Sequence, residues 1–179
     1  MDGNRRWARQ TGHRTTRAGH QAGAEHLRHL LGWCETWGIE HVTAYVLSAD
    51  NIQKRSPDEV DYLFGLLVEA VPRFLAQMPR WALHVIGDGT LLTREAQVAL
   101  ADSEQRSALR PFHVTLAIGY DGLADIAAGI RNALRAVGDV PTPDDITANL
   151  AGGPVKEIDL VIRTGNEWRI SGFFPWQAS

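Results

Sequence analysis

Strand-like and helix-like stretches alternate along this chain, and that alternation restricts its fold more than any other feature. His41-Val-Thr-Ala-Tyr-Val-Leu47, Ala82-Leu-His-Val-Ile86, Phe112-His-Val-Thr-Leu-Ala-Ile118 and Ile158-Asp-Leu-Val-Ile162 are short, apolar and β-branched, and predict four strands. Between the strands, residues 23–37 set Leu27, Leu30, Leu31 and Cys34 on one helical face, with Gly38 as the stop. Ser56-Pro-Asp-Glu59 reads as a capping box with proline in the first turn. A helix should run from there at least to Val71-Pro72, where the proline should kink or end it. Helices are also predicted over 93–107, over 123–137 and from Thr142-Pro-Asp-Asp145 onward. The connections are long enough for crossovers, which makes the expected fold α/β: a central, mainly parallel sheet flanked by helices.

At 179 residues, 44% of them hydrophobic, the chain suits a single domain with a sizeable core. Charged residues interrupt every apolar stretch well before the roughly 18 residues of a bilayer helix, and no leader pattern opens the chain, so the cytosol is the expected compartment. Cys34, the sole cysteine, excludes an internal disulfide and any cysteine-based zinc site. The net charge of -3 conceals an uneven distribution: Arg5, Arg6, Arg9, Arg14 and Arg17 face only Asp2 within the first twenty residues. Such a cluster suits either a solvated helix face or a polyanion site.

Ligands of parallel sheets bind beyond the carboxyl ends of the strands. The segments at those ends are polar or glycine-rich: Ser48-Ala-Asp-Asn51, Gly87-Asp88, Gly119-Tyr-Asp-Gly122 and Arg163-Thr-Gly-Asn-Glu167. The common phosphate-loop, dinucleotide, nucleophile-elbow and zinc-helix motifs are all missing. Asp144-Asp145 lacks the third acid of an aspartate-rich magnesium motif and reads as helix-start charge. Met1-Asp-Gly-Asn-Arg-Arg-Trp-Ala8 combines a carboxylate, a glycine, an amide and two guanidiniums ahead of a helix. Far along the chain, the stretch from Arg163 through Arg169 to Ser171 adds two arginines and a hydroxyl. Two such clusters in one small domain suggest two phosphorylated groups held near each other.

Together with Arg17-Ala-Gly-His20-Gln-Ala-Gly23, Leu47-Ser-Ala-Asp-Asn51, Ile86-Gly-Asp88 and Asp159-Leu-Val-Ile-Arg-Thr-Gly-Asn-Glu-Trp-Arg-Ile-Ser-Gly-Phe173, these motifs resemble the successive signatures of the cis-prenyltransferases, the undecaprenyl diphosphate synthase family. The resemblance implies a magnesium-dependent transferase that adds isopentenyl diphosphate to an allylic diphosphate, makes a cis double bond and releases pyrophosphate. It also implies a homodimer with an apolar tunnel, no nucleic-acid partner, and at most peripheral membrane association through the lipid product. By position, Asp2 is the catalytic, Mg2+-binding aspartate. Gly3, Asn4, Arg5, Arg6, Arg17 and His20 hold the allylic diphosphate, with Trp7 beside them. Arg163, Arg169, Ile170 and Ser171 belong to the isopentenyl diphosphate site, and Ser48, Ala49, Asp50, Asn51, Ile52 and Arg55 to the loop above it. Asn51 matches the asparagine assigned to proton removal, but a neutral amide is a poor base, so orientation or relay to departing pyrophosphate fits it better. Tyr62, Leu63, Phe64, Leu66, Leu67 and Val71 could form one tunnel wall or ordinary core, and bulky Phe64 with the proline-interrupted helix suggests a shallow channel and a short or medium product.

Some positions depart from the pattern. Arg5 replaces a glycine, Asp121 another glycine and Leu123 an arginine. One extra residue before the second motif lets Arg14 compete with Arg17, and one after Asn51 leaves Lys54 or Arg55 as the phosphate contact, with Arg55 favoured. The family has a buried strand before its first motif and a second acidic ligand after its last, so the resemblance implies a chain lacking both. A noncatalytic partner subunit, a branched coupling of two allylic diphosphates and an arginine-rich nucleic-acid binder are the rival readings. His26, His29, His41, His84 and His113 share no metal spacing and read as structural.

Overall fold

The computed structural model describes residues 3–12, 16–166 and 168–178; Met1, Asp2, residues 13–15, Glu167 and Ser179 lie outside them. Its sheet has three parallel strands, β1 (His41–Ser48), β2 (Trp81–Ile86) and β3 (Phe112–Tyr120), in the order β1-β3-β2. The helices are α1 (Asn4–Gln10), α2 (Thr16–Thr36), α3 (Ala49–Lys54), α4 (Pro57–Gln77), α5 (Arg94–Ser107), α6 (Gly122–Val137) and α7 (Pro143–Ala148). Central β3 is buried along nearly its whole length, as its continuous apolar run requires.

The sheet splits the core, with alternation along β3 sending Leu116 to one face and Ala117 to the other and Gly119, at φ 66°, breaking the alternation before Tyr120. One sheet face, with Val114 and Leu116, packs against Leu31 and Cys34 of α2 and Phe64, Leu67 and Val71 of α4. The other, with Ile86, Ala117 and Tyr120, packs against Phe174, Phe173 and Ile158 of the C-terminal segment. The outer edge of β2 is closed by α5: Leu83 N donates to Ser107 Oγ at 2.9 Å and Val85 N to Glu104 Oε1 at 2.7 Å. These side chains satisfy edge donors that would otherwise invite another strand.

Four expectations need correction. Residues 158–162 form no strand: Leu160 and Ile162 are 74% and 70% exposed, and the segment lies across a cleft from the outer edge of β1. A strand exists only through a ladder, and among the described residues β1 pairs with β3 alone. Of the two outcomes expected at Pro72, a kink or an end, the end does not occur, because α4 continues to Gln77. Val71 before it and Leu75 after it are both buried, and burial of such side chains, about 1.5–3 kcal/mol each, offsets the roughly 3 kcal/mol of an internal proline. The capping box at Ser56 does not form, because Ser56 makes no side-chain cap and the Glu59 carboxylate is engaged elsewhere. Finally, α2 begins at Thr16 rather than residue 23, and the polar stretch after β1 is itself helical, as α3. Thr142 and Asp145 do cap each other reciprocally at the start of α7.

Candidate active site

Helix α1 begins on Gly3, whose backbone is left-handed at φ 86°, and crosses α2 at very short range. A Cβ on Gly19 would lie 2.1 Å from the Asn4 carbonyl oxygen, so only glycine permits this crossing. The motif from Arg17 to Gly23 therefore fixes Asn4 against α2 and leaves Arg5 beside α4.

There three basic side chains converge on Glu59. Its Oε1 accepts from Arg55 Nη1 at 3.1 Å, with His20 Nε2 at 3.6 Å and Arg5 Nε at 3.8 Å. The carboxylate is only 16% exposed. Burial first and then the Arg55 charge hold the His20 imidazole below its ordinary range, against the opposing pull of Glu59. Burial likewise lowers the Arg55 guanidinium, which Glu59 opposes. One turn back along α2 from His20, the Arg17 guanidinium sits over the Tyr62 ring at 4.5 Å. Lys54 turns outward to Asp50 at 2.8 Å and is 75% exposed, while Arg55 faces the site. Ser48 caps α3 by accepting from Asn51 N at 3.0 Å.

The second cluster is a tight loop with Asn166 and Ser171 in the left-handed region. Arg163 donates to the Arg169 carbonyl and, at 3.0 Å, to Ser171 Oγ. Arg6 Nη1 donates to the Gly165 carbonyl at 2.8 Å, joining the two clusters. The segment that carries this loop is anchored from below by buried Asp125, which accepts from Tyr120 Oη at 3.0 Å, Gln177 Nε2 at 3.2 Å and Ala151 N at 3.0 Å. Burial and the neighbouring Asp125 charge push the Tyr120 phenol well above its usual range.

A cleft of about 1190 Å³ with a mixed lining carries Arg5, Ser48, Asp50, Asn51, Arg55, Arg163, Arg169 and Ser171 beside apolar residues that include Leu30, Val42 and Ile170. A smaller cavity of about 430 Å³ lies between α2, α4 and β1 and is mainly apolar, with Asn4 and His20 among its lining residues. The two share Leu27 and the stretch from Ala44 to Leu47. Leu63, Leu66, Leu67 and Val71 line the cavity as the sequence suggests, but Tyr62 and Phe64 do not. Phe64 is buried in the core, and Tyr62 is turned beneath Arg17.

Of the other residues singled out from sequence, Asp2 lies outside the described residues, as does Arg14. Ile52 packs against the core and, like Ala49, lines neither space. Trp7 is partly exposed on α1. The Asp88 carboxylate is engaged by Thr90 N at 2.9 Å and Thr90 Oγ1 at 2.6 Å, forming a local turn. Sequence reading missed Glu59 and Asp125 as organising groups. An acid four residues after Arg55 is the local signal that could have revealed Glu59, although Arg55 is extended and precedes α4.

The chain matches the family model for undecaprenyl diphosphate synthase over residues 1–179. A short-chain Z-isoprenyl diphosphate synthase from Mycobacterium leprae is 36% identical over 189 residues, covering 99% of this chain and 72% of that protein. An isoprenyl transferase from Streptomyces fradiae is 39% identical, covering 100% and 74%. A (2Z,6E)-farnesyl diphosphate synthase from Mycolicibacterium smegmatis is 34% identical, covering 99% and 72%. Among solved structures, lavandulyl diphosphate synthase from Lavandula x intermedia, in complex with dimethylallyl diphosphate, superposes with a TM-score of 0.84 at 30% identity, covering 99% of this chain and 80% of that one. With the motifs, the parallel sheet and the joined cationic clusters already in place, these similarities establish that the chain belongs to the undecaprenyl diphosphate synthase family of cis-prenyltransferases.

Proposed function

We propose that this chain condenses isopentenyl diphosphate with a short allylic diphosphate and stops at a short cis-isoprenyl diphosphate. The observation that carries the reading is the Arg6 to Gly165 bond, which sets one arginine cluster beside the other, as two diphosphates reacting with each other require. Gly3, Asn4, Arg5, Arg6, Arg17 and His20 hold the allylic diphosphate, with Trp7 beside them. Arg163, Arg169 and Ser171 hold that of isopentenyl diphosphate. When the allylic C–O bond breaks, its electron pair leaves on pyrophosphate. Preorganised guanidiniums stabilise that charge as it develops, and Glu59 keeps Arg5 and Arg55 ordered beforehand. The isopentenyl double bond supplies the electron pair of the new carbon–carbon bond, and the proton then lost from the isopentenyl unit passes to the departing pyrophosphate, with Asn51, held through its backbone by Ser48, orienting the reacting groups.

Mg2+ belongs to the same proposal. It is commonly held by one or two carboxylates with substrate phosphate oxygens, and the Asp2 carboxylate beside a diphosphate site has that chemistry. Among the described residues no group of three or more His, Cys, Asp or Glu side chains could hold an ion, and Asp2 lies outside those residues. Bound there, the ion would neutralise charge on the departing diphosphate. The cavity volume, near the low end of the roughly 300–1,000 Å³ range of small-molecule sites, supports a short product. The expected homodimer is supported by family membership and by α6, which exposes Ile130, Leu134 and Val137 while burying Gly129 and Ala133. Among the described residues no helix is long and apolar enough to cross a membrane. A cytoplasmic location remains part of the proposal.

The test is incubation with Mg2+, radiolabelled isopentenyl diphosphate and dimethylallyl, geranyl or farnesyl diphosphate, followed by sizing of products. Short cis products lost on chelation and in Asp2→Ala are expected. Long polyprenyl products would overturn the length assignment, and no product from folded protein would overturn the catalytic reading.

A further inference from the structure

Helices α2 and α4 meet through two matched pairs, Arg17 with Tyr62 and His20 with Glu59, each spaced three residues along its helix. That spacing puts both partners on one helical face. The His20–Glu59 rung is ionic when the imidazole is protonated. The other is a cation over an aromatic face, 4.5 Å from guanidinium carbon to ring centre. The Tyr62 hydroxyl is buried and has no hydrogen-bond partner among the described residues. An unmade buried hydrogen bond is unfavourable, so the hydroxyl does not explain where Tyr62 sits, whereas the ring face does.

A carboxylate on Arg17 would occupy the donors that a phosphate needs. An aromatic face attracts the cation without consuming an N–H, leaving the planar fork available for bidentate phosphate binding. It also orders a long, rotamer-rich side chain before substrate arrives. Resting on the reading of Arg17 as a ligand of the allylic diphosphate, we propose that Tyr62 is a positioning residue whose ring face holds the Arg17 guanidinium ready for that diphosphate. Tyr62 thereby acts on one substrate and not the other, since the Arg163–Ser171 cluster lies on a separate loop.

The experiment measures KM for both substrates, kcat, the thermal midpoint and geranyl diphosphate affinity by calorimetry for Tyr62→Leu, Tyr62→Phe, Arg17→Ala and the double variant Tyr62→Leu/Arg17→Ala. Tyr62→Leu should raise KM and Kd for the allylic diphosphate about 2- to 5-fold, the size of an exposed cation–π contact, without moving KM for isopentenyl diphosphate. Tyr62→Phe keeps the ring and should restore wild-type values with a midpoint no lower than wild type. Tyr62→Leu should add nothing in the Arg17→Ala background. Additive losses, or equal rises in both KM values, overturn the proposal. A normal Tyr62→Leu beside an impaired Arg17→Ala overturns it alone, whereas a normal Arg17→Ala overturns the reading of Arg17 and the proposal together.

Discussion

Arg6 reaches across 159 positions of sequence to donate from Nη1 to the carbonyl oxygen of Gly165, 2.8 Å away. The bond ties the first motif to the last, so Arg6 belongs mechanically to both of the proposed diphosphate sites. Arg6→Ala should therefore raise KM for both substrates, whereas Arg17→Ala should raise only that for the allylic diphosphate. Steady-state kinetics with each substrate varied in turn separates the two patterns, and an Arg6→Ala effect confined to one substrate would refute the coupling.

Glu59 gathers Arg5, His20 and Arg55 around one oxygen. Glu59→Gln keeps the shape but removes the charge, leaving the Arg5 and Arg55 guanidiniums to repel each other. Removing a group that orients metal ligands typically costs about 10- to 100-fold, and by analogy a fall of that order in kcat/KM is expected here. Glu59 is also the group that raises the His20 pKa, against burial, Arg55 and Arg5, which lower it. In the variant the His20 imidazole should titrate lower still, which NMR of the ring protons would detect. An unchanged His20 titration would mean that the pair does not interact in solution.

What could be read from sequence and what could not divides along physical lines. Strands β1, β2 and β3 were legible because they are dense in apolar and β-branched residues, and α5 because Thr93 caps it. Ile158-Asp-Leu-Val-Ile162 has the same local character but no ladder to join, and pairing is a property of the neighbour, not of the segment. Pro72 carries a real local cost that burial on both sides outweighs. The arginines were legible as a cluster. The acid that gathers Arg5, His20 and Arg55 was hidden because Ser56 and Glu59 match a capping signature equally well, and only tertiary placement decides where a carboxylate turns.

Asp125 holds the segment that carries Arg163, Arg169 and Ser171, although it touches none of them. Its two oxygens accept three hydrogen bonds, so Asp125→Asn presents a donor to at least one other donor. The loss should be about 1–3 kcal/mol of stability, read by chemical denaturation. KM for isopentenyl diphosphate should rise while that for the allylic diphosphate stays near wild type. Equal effects on both substrates would show that Asp125 supports the fold generally and not this segment.

The rings of His41, His113 and His84 stack across β1, β3 and β2, and His84 Nε2 lies 2.9 Å from His113 Nδ1. Burial, followed by the charges of His113, Lys156 and His41, keeps His84 below its ordinary value of 6.5. Burial and then His41 do the same for His113, with Glu40 opposing. Because the folded-state values are depressed, the unfolded chain takes up protons first as the pH falls. The destabilising contribution is therefore absent above about pH 6.5 and grows as the pH drops through the folded-state values. Denaturant midpoints should decline from pH 7.5 to 5.5, and His84→Gln/His113→Gln should decline less steeply over the same interval. Comparison with wild type cancels the carboxylates common to both proteins, so identical slopes would show that the imidazole pair protonates as easily folded as unfolded.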